Sequence, residues 1–246
     1  MKFQEPNSLP LYARVESALA EDIAAGRLTP GQQIPTEGEL VARFAVSRIT
    51  VRKAVENMVM RGLVEIRRGK GTFVAEPRLR QDLSALTGFV EDMVALGRNP
   101  TAKLLGFERI PAVSQVARHL DIAPGAMVYR IERVRLADGA AVSFDETFLP
   151  DDIGERIVKE DLEAEPIFAL LEDKLGLPLI EAQYQLEAAA ADKRAAKALG
   201  VQKGSPIFLI ERTSYAEGQR PVDYEKLHYR GELIKFVTRL PRRPRV

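Results

Sequence analysis

Cysteine is absent from all 246 residues, so this chain can build neither a disulfide nor a thiolate metal site. Tryptophan is absent as well, and histidine occurs only as His119 and His228. Metal ligands come in clusters, so two isolated histidines read as surface or core residues, and neither metal nor cofactor is expected. No run approaches the ~20 apolar residues that cross a bilayer. The opening stretch, MKFQEPNSLP, lacks the apolar core of a secretory signal. A cytoplasmic protein with no membrane partner is expected. There is also little net charge, only +1, but its distribution is uneven. Residues 1–80 carry +4, residues 81–234 carry −8, and residues 235–246 carry +5. A basic module followed by a larger acidic one points to nucleic acid at one end and a different partner at the other. The basic tail reads as a solvated terminus. The hydrophobic fraction, 46%, is that of an ordinary folded protein, and the length suffices for two domains.

The richest stretch runs from Pro35 to Val74. Two short helical patterns meet at Ala45-Val46, and a hairpin with a basic glycine turn follows, which is the order of parts in a winged helix-turn-helix. The second helix is expected to start at Ser47, whose hydroxyl can cap it. Val51, Ala54, Val55 and Met58 recur at helical spacing and form its buried face. Arg48 and Arg52 share another face, and Ser47, Arg48 and Thr50 occupy the first turn. Arginine can pair bidentately with guanine, and hydroxyls suit phosphate. A solvated basic face would look the same in isolation. The hairpin separates the two readings: Leu63 to Arg67 and Thr72 to Ala75 are strand-like, and Arg68, Gly69, Lys70 and Gly71 form a basic tip between them. A basic helix and a basic tip so close in sequence can touch one duplex.

Beyond the wing, residues 78–90 are polar and read as a linker, although Leu83, Leu86 and Phe89 are spaced for packing. A short helix is expected over Gly88 to Leu96. Strand patterns follow at Lys103 to Arg109, Met127 to Ala137, Val142 to Leu149, Leu179 to Ala189, Ile207 to Tyr215 and Pro221 to Tyr229. Helices are expected at Ser114 to Leu120, Pro166 to Lys174 and Asp192 to Leu199. Asp138-Gly139 is a strong hairpin signal, and Glu217-Gly218 marks a second turn. The class is α+β with a mostly antiparallel sheet. No repeat with a period of 20 to 50 residues is evident.

The N-terminal segment resembles the DNA-binding domain of the GntR family of bacterial transcription regulators. The residues that carry the resemblance are Leu11-Tyr12, Gly31 to Pro35, Glu37, Glu39-Leu40, Ser47-Arg48-Thr50-Val51-Arg52 and Gly69 to Val74. It implies a DNA-binding domain over 9–76, with contacts from Thr36, Ser47, Arg48, Thr50, Arg52, Arg68 and Gly69, and with Lys70 and Gly71 completing the wing tip. Gly38 departs from the pattern, which usually has an arginine that touches DNA, and this implies an altered operator preference.

After a linker at 77–92, residues 93–240 resemble the UTRA effector-binding domain of the HutC subgroup, whose fold is similar to chorismate lyase. Arg133 to Gly139, Asp145 to Pro150, Leu199-Gly200-Val201, Arg212 and Tyr229-Arg230-Gly231 carry that likeness. By position, it implies that Arg133, Arg135, Asp145 and Asp223 line a ligand pocket, with Tyr229 beside them and Phe89 and Phe168 as an apolar wall. Two guanidiniums on one strand face suit phosphate, phosphonate or carboxylate. Pairing of Arg133 with Asp145 as structural charge is the alternative. The family usually has glutamate at both 145 and 223; the shorter aspartates imply a wider pocket or a bulkier ligand. Pro166 lacks the hydroxyl and backbone donor with which sugar-phosphate-binding relatives hold phosphate. The implied function is a dimeric, metabolite-responsive repressor of a palindromic operator, released by a small anionic effector. A DNA-binding protein without an effector, and a lyase-like enzyme fused to a DNA-binding module, remain as alternatives.

Overall fold

The computed structural model describes residues 9–67, 69–75, 78–240 and 242. The chain divides into two compact units, Met1–Pro77 and Arg78–Val246.

The first unit opens with α1 (Leu11–Ala24), followed by α2 (Glu37–Phe44) and α3 (Arg48–Met60). Thr36 caps α2 in a capping box: its own N–H donates to Glu39 Oε2 at 2.7 Å, and its hydroxyl accepts from the Glu39 N–H. Ser47 caps α3 and accepts from the Thr50 N–H at 3.2 Å. Val51, Ala54, Val55 and Met58 form the buried face of α3, packed with Val15, Leu19 and Leu40. The antiparallel wing strands β1 (Val64–Arg67) and β2 (Gly71–Val74) close this core through Val64 and Val74.

The second unit begins with β3 (Leu79–Asp82), then α4 (Phe89–Ala95), β4 (Pro100–Pro111), α5 (Ser114–His119), β5 (Met127–Ala137) and β6 (Ala140–Pro150). It continues with α6 (Asp151–Ile157), α7 (Ile167–Ala169) running into a π-helical turn at Leu170–Lys174, β7 (Glu181–Ala190), α8 (Lys193–Leu199), β8 (Pro206–Ala216), β9 (Arg220–Arg230) and β10 (Ile234–Val237). Six strands form one antiparallel sheet in the order β4-β5-β6-β9-β8-β7. Asp138 and Gly139 both take positive φ, 50° and 80°, which lets the β5–β6 hairpin turn in two residues. Helices α4, α6 and α7 pack on one face of the sheet, and α5 and α8 on the other.

The segment expected as a linker, 77–92, is corrected where it is described. Leu79–Asp82 pairs in parallel with Ile234–Val237, and Phe89 opens α4. Gln81 is buried and donates to Asp92 Oδ2 at 2.6 Å, so this stretch is fastened into the second unit rather than left free. Four-residue strands pairing across 155 positions leave no local sequence signal. Helix α6 was likewise not expected.

The sheet is internally duplicated. Gly125–Gly139 (GAMVYRIERVRLADG) and Gly204–Gly218 (GSPIFLIERTSYAEG) occupy the same place in two strand–helix–hairpin halves, 79 residues apart and so beyond a period of 20 to 50 residues. Each half lends its short helix to the other. Gln115 of α5 donates to Glu211 of β8 at 2.7 Å, and Arg194 of α8 pairs with Glu146 of β6 at 2.9 Å.

Candidate DNA interface and candidate effector site

The start of α2, the middle of α3 and the wing border one groove of about 440 Å³, to which Thr36, Arg52, Gly69 and Gly71 contribute, while Ser47, Arg48, Thr50 and Lys70 lie outside it. Arg52 is exposed, and its Nε donates to Glu37 at 3.0 Å. Ser47 and Arg48 are exposed at the start of α3, and the Ser47 and Thr50 hydroxyls lie 2.8 Å apart. Lys70 is exposed on the tip; Arg68, and the tail cations Arg243 and Arg245, lie outside the described residues. Glycine is required at 71: φ is 122°, and a Cβ would stand 2.4 Å from Gln33 Nε2. Sequence reasoning missed Ile49, an apolar side chain left 80% exposed in the first turn of α3. Its signal was an isoleucine off the buried face of that helix.

In the second unit, Phe89, Arg135, Asp145, Phe168 and Tyr229 line one cleft. Arg133 and Asp223 do not reach its wall; Arg212 and Glu225 do. Glu225 lies two residues beyond Asp223 on the same strand face, and Arg212 stands opposite it on β8 rather than on β5 with Arg133. The cleft holds about 20 Å³, room for about one water. Phe168 packs under the Arg212 guanidinium, 4.3 Å from ring centroid to Cζ, and fills that space.

Two buried ion pairs make up the polar wall. Arg135 Nε donates to Asp145 Oδ2 at 2.9 Å, and Ser143 donates to the other carboxylate oxygen. Arg212 pairs with Glu225 and also donates to the Tyr184 hydroxyl at 3.2 Å. The Thr147 hydroxyl donates to Glu225 Oε1 at 2.9 Å. Arg133 stands opposite Asp145 in the hairpin register, yet does not pair with it. Asp145 is already engaged by Arg135 reaching diagonally across the small Ser143. Arg133 is fully buried and donates only to the Leu162 carbonyl, at 3.3 Å; its Nε and Nη2 have no partner. Burial, and then the neighbouring Arg135, pull its pKa down to about 9, so it keeps its proton at neutral pH.

Asp223 is fully buried, accepting the Ser214 N–H at 3.1 Å on one oxygen and nothing on the other. Burial, then the nearby Glu225 carboxylate, push it up to about 7. Burial acts in the same sense on Glu225, but Arg212 and the Thr147 hydroxyl outweigh it and hold Glu225 ionised.

Residues 95–235 match the UTRA domain family, and residues 11–74 match the bacterial regulatory proteins of the gntR family. The chain belongs to the GntR family. It is 31% identical to the HTH-type transcriptional repressor NagR of Bacillus subtilis (strain 168), over 98% of this chain and 99% of that one. It is 29% identical to the histidine utilization repressor of Pseudomonas putida, over 94% and 92%. The crystal structure of PhnF from Mycobacterium smegmatis superposes with a TM-score of 0.67 at 29% identity, covering 93% of this chain and all of that one. These relatives are transcription regulators rather than enzymes, so this GntR-family chain is a DNA-binding regulator with a small-molecule effector domain. Among the described residues no helix is long and apolar enough to cross a membrane.

Membership sharpens the meaning of Gly38. Nothing lies within 4 Å of where its Cβ would stand, and its φ is not in the left-handed region, so the fold does not require glycine there. Gly38→Arg should therefore fold normally and gain one phosphate contact. The expected result is tighter DNA binding, with the log–log salt slope steeper by about one. Fluorescence anisotropy with a labelled duplex across a salt series reads it directly.

Proposed function

We propose that this chain is a repressor that binds a palindromic operator as a homodimer and is released by a small effector bearing an anionic group. The observation that carries the reading is the cleft at the start of α4. Its polar wall is buried arginine–carboxylate pairs, and an arginine with unused donors lies behind them. The same helix holds Gln81 of β3 through Asp92, and β3 is the first element after the wing in the chain. An effector that shifts Phe89 therefore acts on the segment leading out of the DNA-binding unit. It must bind one arrangement of that segment better than the other for repression to respond. Repression is favoured by the relatives, NagR and the histidine utilization repressor among them. In this reading Arg48 and Arg52 read bases, Ser47, Thr50 and Thr36 hold phosphate, and the wing tip at 68–71 completes the contact.

Selection of duplexes from a random library by the full chain tests the DNA half. The expected product is an inverted repeat bound by a dimer in sedimentation, as two-fold symmetry requires. Arg48→Ala and Arg52→Ala should each weaken binding to it about tenfold to a hundredfold, the worth of a bidentate base contact. A monomer on a single half-site, or unchanged affinity in both variants, would sink the proposal.

A further inference from the structure

We propose that Ile49 is a specificity-determining residue: its side chain packs on the C5 methyl of a thymine in the major groove, and makes one T·A pair a required position of the operator. It rests on the base-reading role of α3 given above.

Ile49 is 80% exposed, more than any other large apolar side chain among the described residues. Helix α3 buries Val51, Ala54, Val55 and Met58. At about 100° per residue, the line directly opposite that buried face runs through Ile49, Lys53, Glu56 and Met60, all of them exposed. Ile49 is the member of that line in the first turn, between Arg48 and Thr50, with Arg52 and Lys53 one turn further on. Met60, the other apolar member, stands ~16 Å away along the axis.

A lone exposed isoleucine on an ordinary surface needs no explanation. This one is set among cations, at the end of the helix that enters the groove in helix-turn-helix proteins. The cations draw that end down onto the phosphates. Isoleucine has no donor or acceptor, so it gains only where the groove presents apolar surface. The one apolar group that a base pair displays in the major groove is the thymine methyl. Elsewhere the groove floor consists of donors and acceptors, and an isoleucine pressed against them cuts them off from water without replacing the lost hydrogen bonds. The same side chain therefore favours thymine and disfavours the other bases at one position. The fold gives no competing reason for it. Ile49 takes no part in the core of its unit, and a β-branched residue is a weaker helix former than alanine.

The test uses the full chain and the duplex it selects from a random library. Each thymine of that duplex is replaced in turn by deoxyuridine, which keeps the pairing face and loses only the methyl. Fluorescence anisotropy then measures binding by the wild type and by Ile49→Ala. Removing the methyl at one thymine of a half-site should weaken wild-type binding about threefold to fivefold, the worth of one buried methyl. Ile49→Ala should lose about as much on the thymine duplex and be indifferent to uracil at that position. Alanine is the better helix former, so this loss cannot come from a frayed α3. The log–log salt slope should stay unchanged in Ile49→Ala, because no phosphate contact goes with the side chain. A duplex in which no thymine is sensitive to loss of its methyl overturns the inference. So does a uracil penalty that persists undiminished in Ile49→Ala. If the chain selects no sequence, or if Arg48→Ala and Arg52→Ala both bind as the wild type does, α3 does not read bases, and the underlying reading falls together with the inference.

Discussion

Replacing Glu225 with alanine will destabilise the effector unit by about 3–5 kcal/mol, the usual result of stripping a buried ion of its partner. Arg212 is left with the Tyr184 hydroxyl and the face of Phe168, neither of which neutralises it. The Thr147 hydroxyl loses its acceptor at the same time. Part of the loss is recovered by Asp223, which no longer faces a carboxylate and can ionise toward Arg212. The double variant Glu225→Ala/Asp223→Asn should therefore be less stable than the two single effects summed. Urea unfolding followed by far-UV circular dichroism measures all three; a loss below about 1 kcal/mol in the single variant would show that the Arg212–Glu225 pair is not the buried pair described here.

Asp223→Asn, two residues away on the same strand, should do the opposite at alkaline pH. The folded protein holds the Asp223 proton up to about pH 7, while the unfolded chain releases it near the ordinary aspartate pKa. Between those values only the folded state binds the proton, so this group favours folding in acid and the contribution is lost as pH rises through the interval. Above pH 7 the folded protein carries an ionised, half-partnered carboxylate. Asparagine keeps an oxygen for the Ser214 N–H and never ionises. The variant should match the wild type near pH 4, diverge upward from there, and be more stable at pH 8 by up to about 4 kcal/mol. Unfolding curves at pH 4, 6 and 8 suffice. A wild type and variant that run parallel across the range would mean that Asp223 ionises normally.

Much of the fold was legible because its signals are local. Ser47 before Val51, Ala54, Val55 and Met58 marked the start and buried face of α3. Asp138-Gly139 located the first hairpin, and the alternation in Met127–Ala137 gave that strand its full length. What was not legible depends on partners distant in the chain. The pairing of Leu79–Asp82 with Ile234–Val237 cannot be read from either segment. The cleft was half legible for the same reason. Strand periodicity puts Arg133, Arg135, Asp145, Asp223 and Glu225 on one face, but side-chain reach decides which of them meet. Arg135 takes Asp145 diagonally, and the register places Glu225 rather than Asp223 opposite Arg212.

The duplication of the sheet gives the cleft a built-in reference. Arg212 in the second half occupies the place of Arg133 in the first, and each stands in register with an acid, Glu225 and Asp145. In the second half that facing pair closes. In the first it does not, because Arg135 has intruded where the second half has Ser214. The two halves are thus one design with a broken symmetry. A buried arginine left without its facing acid belongs to the first half alone, and Arg135→Ser, by letting Arg133 close on Asp145, would make that half a copy of the second.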